Sequence, residues 1–270
     1  MERAGQTHGT YEHPAGRVAW WSVGDGPPVV LCHGTPWSSF VWTSLASHLP
    51  HRRAIAWDMP GLGRSERSPQ VDLATQAQVL ADLLDHLGLD RPDIVAHDIG
   101  GAVALRAHLL HQRPVASLVL VDVVALRPWG SPFFRLVRDS SAVFGALPAN
   151  LHRALVAEYI RGASATQLGE HDLTGLVDPW LGSNQASFYL QIAQADESHT
   201  IEFEDRLGEI EVPTLVAWGS ADSWIPVEQA HRLVAAIPGA ELRLVDGAGH
   251  LVMHDAEEQF NRVVSGWLTG

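Results

Sequence analysis

The run SLVLVDVVA, Ser117–Ala125, is apolar at consecutive positions where a strand with one wet face would alternate. VPTLVAWG from Val212 and IVAH from Ile94 share that character. A strand that hides both faces belongs in a parallel sheet, because parallel neighbours need crossover helices and those helices cover the two faces. The intervening segments supply them. LATQAQVLADLLDHLGL sets Leu73, Ala77, Leu80, Leu83, Leu84 and Leu87 at spacings of three and four, and Gly88 stands where a C-cap is needed. Further strands are expected over 17–23, 29–32, 53–57 and in ELRLVDGAGH, with helices in VEQAHRLVAAI and from Asp255 to Trp267. The alternation predicts an α/β fold built on a mostly parallel, doubly wound sheet.

Residues 126–211 break the rhythm. They show no convincing strand and read as short helices, LHRALVAEYIRG and SNQASFYLQIAQAD among them. A structureless connection of that length is uncommon inside a compact domain. The expected organisation is therefore a core of residues 1–125 and 212–270 carrying a helical cap over 126–211.

Charge and composition narrow the class. The chain has 270 residues and a net charge of −13, from 31 acidic against 18 basic side chains. Nucleic-acid and anionic-membrane surfaces need clustered positive charge, so neither partner is expected. No stretch approaches the ~18 apolar residues of a membrane span. The N-terminal MERAGQTHGTYEHPAG lacks the apolar core of a secretory signal, and a cytoplasmic enzyme is the expectation. A single cysteine, Cys32, in an apolar run excludes an internal disulfide and reads as an inert buried thiol. The 15 histidines are scattered without H-E-x-x-H spacing, so neither metal nor cofactor is expected. The remaining partner is a small hydrophobic organic substrate, bound by a monomer or homodimer.

Four short motifs follow strand ends, where open α/β sheets build their sites. IVAHDIGGAVALR passes from strand through a tight turn into an apolar helix, with Asp98 at the turn in the pattern small-x-acid-x-Gly. CHGTP, Cys32–Pro36, presents the Thr35 N–H, and the Ile99 N–H follows Asp98; both can meet developing negative charge. DGAGH places His250 after the last strand, and WGSADSWIP places Asp222 after the one before it. The order is nucleophile Asp98, acid Asp222, histidine His250. Asp122, ending LVLVD, is the alternative acid. His33, before a glycine, reads as a structural group bonding its own loop.

These motifs resemble the α/β-hydrolase family over essentially the whole chain, with aspartate where the nucleophile elbow usually carries serine. AHDIGG and HGTPWSSFVW resemble the epoxide hydrolase and haloalkane dehalogenase branch, whose elbow reads H-D-x-G-G. The resemblance implies a two-step reaction. Carboxylate attack on an ester carbonyl would give an anhydride, whereas attack on an sp³ carbon bearing halide or epoxide oxygen gives a stable alkyl ester. Aspartates ionise near pH ~3.9, so no base is needed for that step. His250, oriented by the acid, then activates water to hydrolyse the ester.

The leaving group separates the two types. Haloalkane dehalogenases carry a Trp after the nucleophile and often an Asn in the HG-N-P turn; here those positions are Ile99 and Thr35. Fluoroacetate dehalogenases carry an arginine there, and neither Ile99 nor Ala102 replaces it. Epoxide hydrolases use lid tyrosines on the opening oxygen. Tyr189 resembles the second of these, and Tyr159 is the other candidate in the cap. Trp37, Trp129, Trp180 and Trp224 are candidate pocket residues, their indole N–H groups being possible halide donors. The resemblance thus implies an epoxide hydrolase, with a dehalogenase using non-standard donors as the alternative. A non-catalytic binding protein on the same scaffold is the alternative of another class.

Overall fold

The computed structural model describes residues 5–269. Its sheet has eight strands: β1 (Thr7–His13), β2 (Gly16–Val23), β3 (Pro28–Cys32), β4 (Arg53–Trp57), β5 (Asp93–His97), β6 (Leu118–Val121), β7 (Thr214–Gly219) and β8 (Glu241–Val245). They lie in the order β1-β2-β4-β3-β5-β6-β7-β8. From β4 to β8 every neighbouring pair is parallel, while β2 joins β4 and β1 joins β2 antiparallel. The chain steps from β3 outward to β4 and then back across to β5. That reversal opens the crevice in which Thr35 and Asp98 meet.

The helices are α1 (Thr43–Ser47), α2 (Leu73–His86), α3 (Ile99–Leu109), α4 (Pro132–Gly145), α5 (Ala149–Arg161), α6 (Glu170–Val177), α7 (Gln185–Gln194), α8 (Ser198–Glu204), α9 (Val227–Ala236), α10 (Val252–Asp255) and α11 (Glu257–Thr269). Every residue of β6 and β7 is buried, as consecutive apolar residues require of strands covered on both faces. The α3 sequence IGGAVALRAHL is apolar on nearly all sides because the helix is enclosed by α2, α8, β3 and β5. Asp72 caps α2, its Oδ1 accepting the N–H groups of Ala74 and Thr75 at 3.0 and 2.9 Å, a contact of about 1 kcal/mol. Gly88 follows the helix at φ +64°, as a C-capping residue should.

Two elements differ from the sequence expectation. β1 was not expected; it is a polar edge strand with no fully buried residue, so it lacks an apolar period, and its pairing with β2 is what orders it. The strand expected over Ser117–Ala125 stops at Val121, because Asp122 takes φ +45° and turns the chain out of the sheet.

Between β6 and β7 the described structure is helical, α4 to α8. Ser131 starts α4 by accepting the Phe134 N–H at 3.1 Å, with Pro132 in the first turn. Hydrogen bonds tie this insertion to the sheet side: Trp180 Nε1 donates to Pro36 O at 2.8 Å, and Arg106 donates to His199 O at 2.6 Å. Among the described residues no helix is long and apolar enough to cross a membrane.

Candidate active site

Asp98 sits in the turn between β5 and α3 at φ +54°, ψ −128°, a conformation that costs a non-glycine residue about 1–3 kcal/mol. The fold holds it there. Its N–H donates to Val121 O at 3.2 Å, and its carbonyl accepts the N–H groups of Gly101 and Val124, each at 3.0 Å. Two glycines make the turn possible. A Cβ on Gly34 would stand 2.3 Å from Asp98 Cβ, and one on Gly100 would stand 2.4 Å from His33 O. The carboxylate is thus pressed against the β3 loop, where the Thr35 N–H donates to its Oδ1 at 2.7 Å. Oδ2 lies 3.3 Å from His250 Nε2.

His250 is buried and its Nδ1 is 2.9 Å from Asp222 Oδ2. Asp222 is itself fixed, its Oδ1 accepting the N–H groups of Trp224 at 2.7 Å and Ile225 at 3.0 Å. Burial alone would lower the His250 pKa, but the carboxylates of Asp222 and Asp98 outweigh it and hold it well above the ordinary value. Burial would raise Asp222; His250 and the two backbone donors prevail and hold it below the usual carboxylate range. Of the two acids open in the sequence, Asp222 is the one in contact with the histidine. Asp122 lies beside the pair with its Oδ1 on the Gly219 N–H at 2.9 Å. Asp122, Asp222 and His250 are the one His/acid group among the described residues near enough to share an ion, and the His250–Asp222 hydrogen bond already occupies two of its members.

A cavity of about 630 Å³, including the space at its mouth, opens over Asp98. Thr35, Ile99, Trp129, Phe134, Tyr159 and Trp224 are among its walls. Tyr159 has no hydrogen-bond partner for its hydroxyl, and its ring rests on Trp224 and Phe133 at 4.5 and 4.9 Å. Burial, and then the negative charge of Asp98, push that hydroxyl above its ordinary pKa. It is a free donor in the same cavity as the nucleophile.

Tyr189 is placed otherwise. It is fully buried away from the cavity, with its hydroxyl 2.9 Å from His152 Nδ1. His152 Nε2 donates to Trp180 O at 2.8 Å, so Nδ1 is the acceptor and Tyr189 the donor. Of the two tyrosines expected in the lid, Tyr159 lines the cavity, whereas Tyr189 lies outside it and joins α7 to α5 through His152.

The tryptophans divide similarly. Trp129 lines the cavity by its ring, but its Nε1 donates to Thr200 Oγ1 at 2.9 Å. Trp180 spends its N–H on Pro36 O. Trp37 is buried outside the cavity, stacked on Trp224 at 6.0 Å, and Trp224 stacks on His250 at 5.1 Å.

His33 is structural as expected: Nδ1 donates to Gly34 O at 2.8 Å, Nε2 accepts the Met59 N–H at 3.1 Å, and burial lowers its pKa. Three further groups shape the site without having been singled out in the sequence. His97 donates from Nε2 to the carbonyl of His250 at 2.9 Å, and burial followed by the nearby His250 lowers its pKa to about 3, so it stays neutral. Its place directly before Asp98 was the available signal. Gln191 accepts the Thr35 hydroxyl through Oε1, which only tertiary packing reveals. Phe134 closes the cavity from α4, whose Ser-Pro start was a readable cap.

A model of the alpha/beta hydrolase fold matches residues 27–257. The chain belongs to that family. It is similar to an alpha/beta hydrolase fold protein from Burkholderia ambifaria, 41% identical with a TM-score of 0.92 over 95% of this chain and 96% of that one. The 2-hydroxy-6-oxo-2,4-heptadienoate hydrolase of Pseudomonas putida is 29% identical over 91% of this chain and 90% of the relative. A haloalkane dehalogenase loop variant from Bradyrhizobium elkanii, 21% identical, has a TM-score of 0.84 over 99% of this chain and 98% of its own, which speaks for the fold alone. The chain is a hydrolase of the alpha/beta-hydrolase family.

Proposed function

We propose that this hydrolase opens epoxides through an alkyl ester on Asp98. The observation that carries the reading is the unpartnered Tyr159 hydroxyl sharing the cavity with Asp98. With Asp98 Oδ1 taken by the Thr35 N–H, Oδ2 attacks the epoxide carbon and the ring C–O bond breaks. The oxygen leaves as an alkoxide that accepts the Tyr159 proton, and solvent reprotonates the phenolate. A donor aimed at charge that exists only as the bond breaks favours the transition state over the ground state.

Ester formation removes the negative charge of Asp98. His250 loses one of the two anions that hold its proton, gives that proton to solvent, and in neutral form becomes the base for water. Water attacks the ester carbonyl, the oxyanion rests on the Thr35 and Ile99 N–H groups, and collapse releases a diol and restores Asp98. Asp222 keeps the imidazole oriented through both states. Halide release is the second reading: the indole N–H groups of Trp129 and Trp180 are spent on Thr200 and Pro36, and of the other two candidate donors Trp37 lies outside the cavity while Trp224 lines it. The strained Asp98 and complete His250–Asp222 pair speak against a binding protein that has left catalysis behind.

Single turnover in ¹⁸O-water, with a styrene-type epoxide and a bromoalkane compared, tests this. The expected result is one ¹⁸O atom in the Asp98 peptide with the epoxide and none with the bromoalkane. Label from the bromoalkane alone assigns the enzyme to halide release instead.

A further inference from the structure

A third carboxyl group stands behind the base, and the mechanism above makes no use of it. Asp122 is fully buried where β6 ends, held at φ +45°. Its Oδ1 accepts one N–H, from Gly219, and its buried Oδ2 has no hydrogen-bond partner. One oxygen of Asp122, one of Asp222 and a ring nitrogen of His250 lie within 4.8 Å of one another.

The two acids are unequally provided. Asp222 accepts from His250, Trp224 and Ile225, whereas Asp122 accepts from Gly219 alone. Two buried carboxylates this close cannot both carry charge at reasonable cost, and the charge settles where the donors are. An anionic Oδ2 on Asp122 would be a bare oxygen beside a like charge. A hydroxyl at the same place turns an orphan acceptor into a donor next to an acceptor.

We propose that Asp122 is a neutral carboxylic acid whose Oδ2 proton faces Asp222, positioning that carboxylate and standing in reserve as a second orienting acid for His250. Burial and then the Asp222 charge push Asp122 well above the carboxylate range, in the same direction. The titratable groups around it are Asp222 from the loop after β7 and His250 from the loop after β8. Asp98 and the neutral His97, at the end of β5, border His250 from its other side. Neutrality has a use. A third anion near His250 would tighten its hold on the proton and oppose its turn as base.

The proposal rests on His250 acting as the base, so its test includes a readout that needs no substrate. A folded Asp122 with a raised pKa keeps a proton that the unfolded chain releases above pH ~3.9, so wild-type stability falls as pH rises through that window. Asparagine does not titrate. The melting temperature of Asp122→Asn minus that of wild type should therefore increase from pH 4 to pH 8; a flat or falling difference overturns the neutral state, whatever the enzyme hydrolyses. In turnover, Asp122→Val should lower kcat about tenfold while Asp122→Asn, which keeps a donor, restores it to within about threefold of wild type. Asparagine as damaging as valine would mark Asp122 as the charged acid instead. Asp222→Asn should retain at least about tenfold more activity than the Asp122→Asn/Asp222→Asn pair, and increasingly so at higher pH as Asp122 ionises. Equal activities would remove the reserve role.

Discussion

The strand-end loops and the helical insertion both build the cavity over Asp98, but they hold their side chains by different means. Asp98, Thr35 and Asp222 are set by backbone hydrogen bonds of 2.7–3.2 Å, several to each loop. Tyr159 and Phe134, from the insertion, are set by ring packing, and Trp129 by ring packing together with side-chain partners, Glu197 and Thr200, from the insertion itself. The contrast repeats inside the insertion. Tyr159 on α5 presents a free hydroxyl, whereas Tyr189 on α7 begins a chain through His152 and Trp180 that ends on Pro36. Bond making needs groups held to tenths of an ångström, which backbone supplies; recognition of a leaving oxygen needs shape and one donor, which a packed helix supplies.

Substitutions should rank in that order. Asp98→Ala, which removes the atom that forms the bond, should lower epoxide hydrolysis by about 10⁴-fold or more, read from steady-state kcat/KM. A fall under about tenfold would move the nucleophile elsewhere. Tyr159→Phe should slow single-turnover ring opening by about 10²-fold with an unchanged melting temperature. Tyr189→Phe should do the reverse, leaving ring opening within about twofold and lowering stability by about 1 kcal/mol in denaturant unfolding. If the two tyrosine variants exchange these effects, the insertion works through α7 and the contrast fails.

The same division explains what could be read from the sequence. Asp98, His250, Asp222 and Thr35 stand in short motifs directly after apolar runs, so local pattern and chain order located all four, and the structure brings them within contact of one another. The choice between Asp222 and Asp122 was open there because both follow strands; it depends on which turn points its carboxylate at His250 Nδ1, a matter of backbone geometry at Asp122 φ +45°. Tyr159 and Tyr189 could not be told apart there for a related reason. Nothing within a few residues of either says which helix face meets the sheet, since the packing of α4 on α7 and of α5 on α6 decides it. β1 escaped because an edge strand of polar residues has no buried period to show.

The covalent step is tested most directly in His250→Ala, which can form the Asp98 ester but has lost the base that clears it. After mixing with a slight excess of epoxide, mass spectrometry of the proteolysed protein should show the Asp98 peptide heavier by the full mass of the epoxide, persisting as wild-type protein returns to its original mass. A His250→Ala protein that consumes epoxide with no adduct on that peptide would contradict the account.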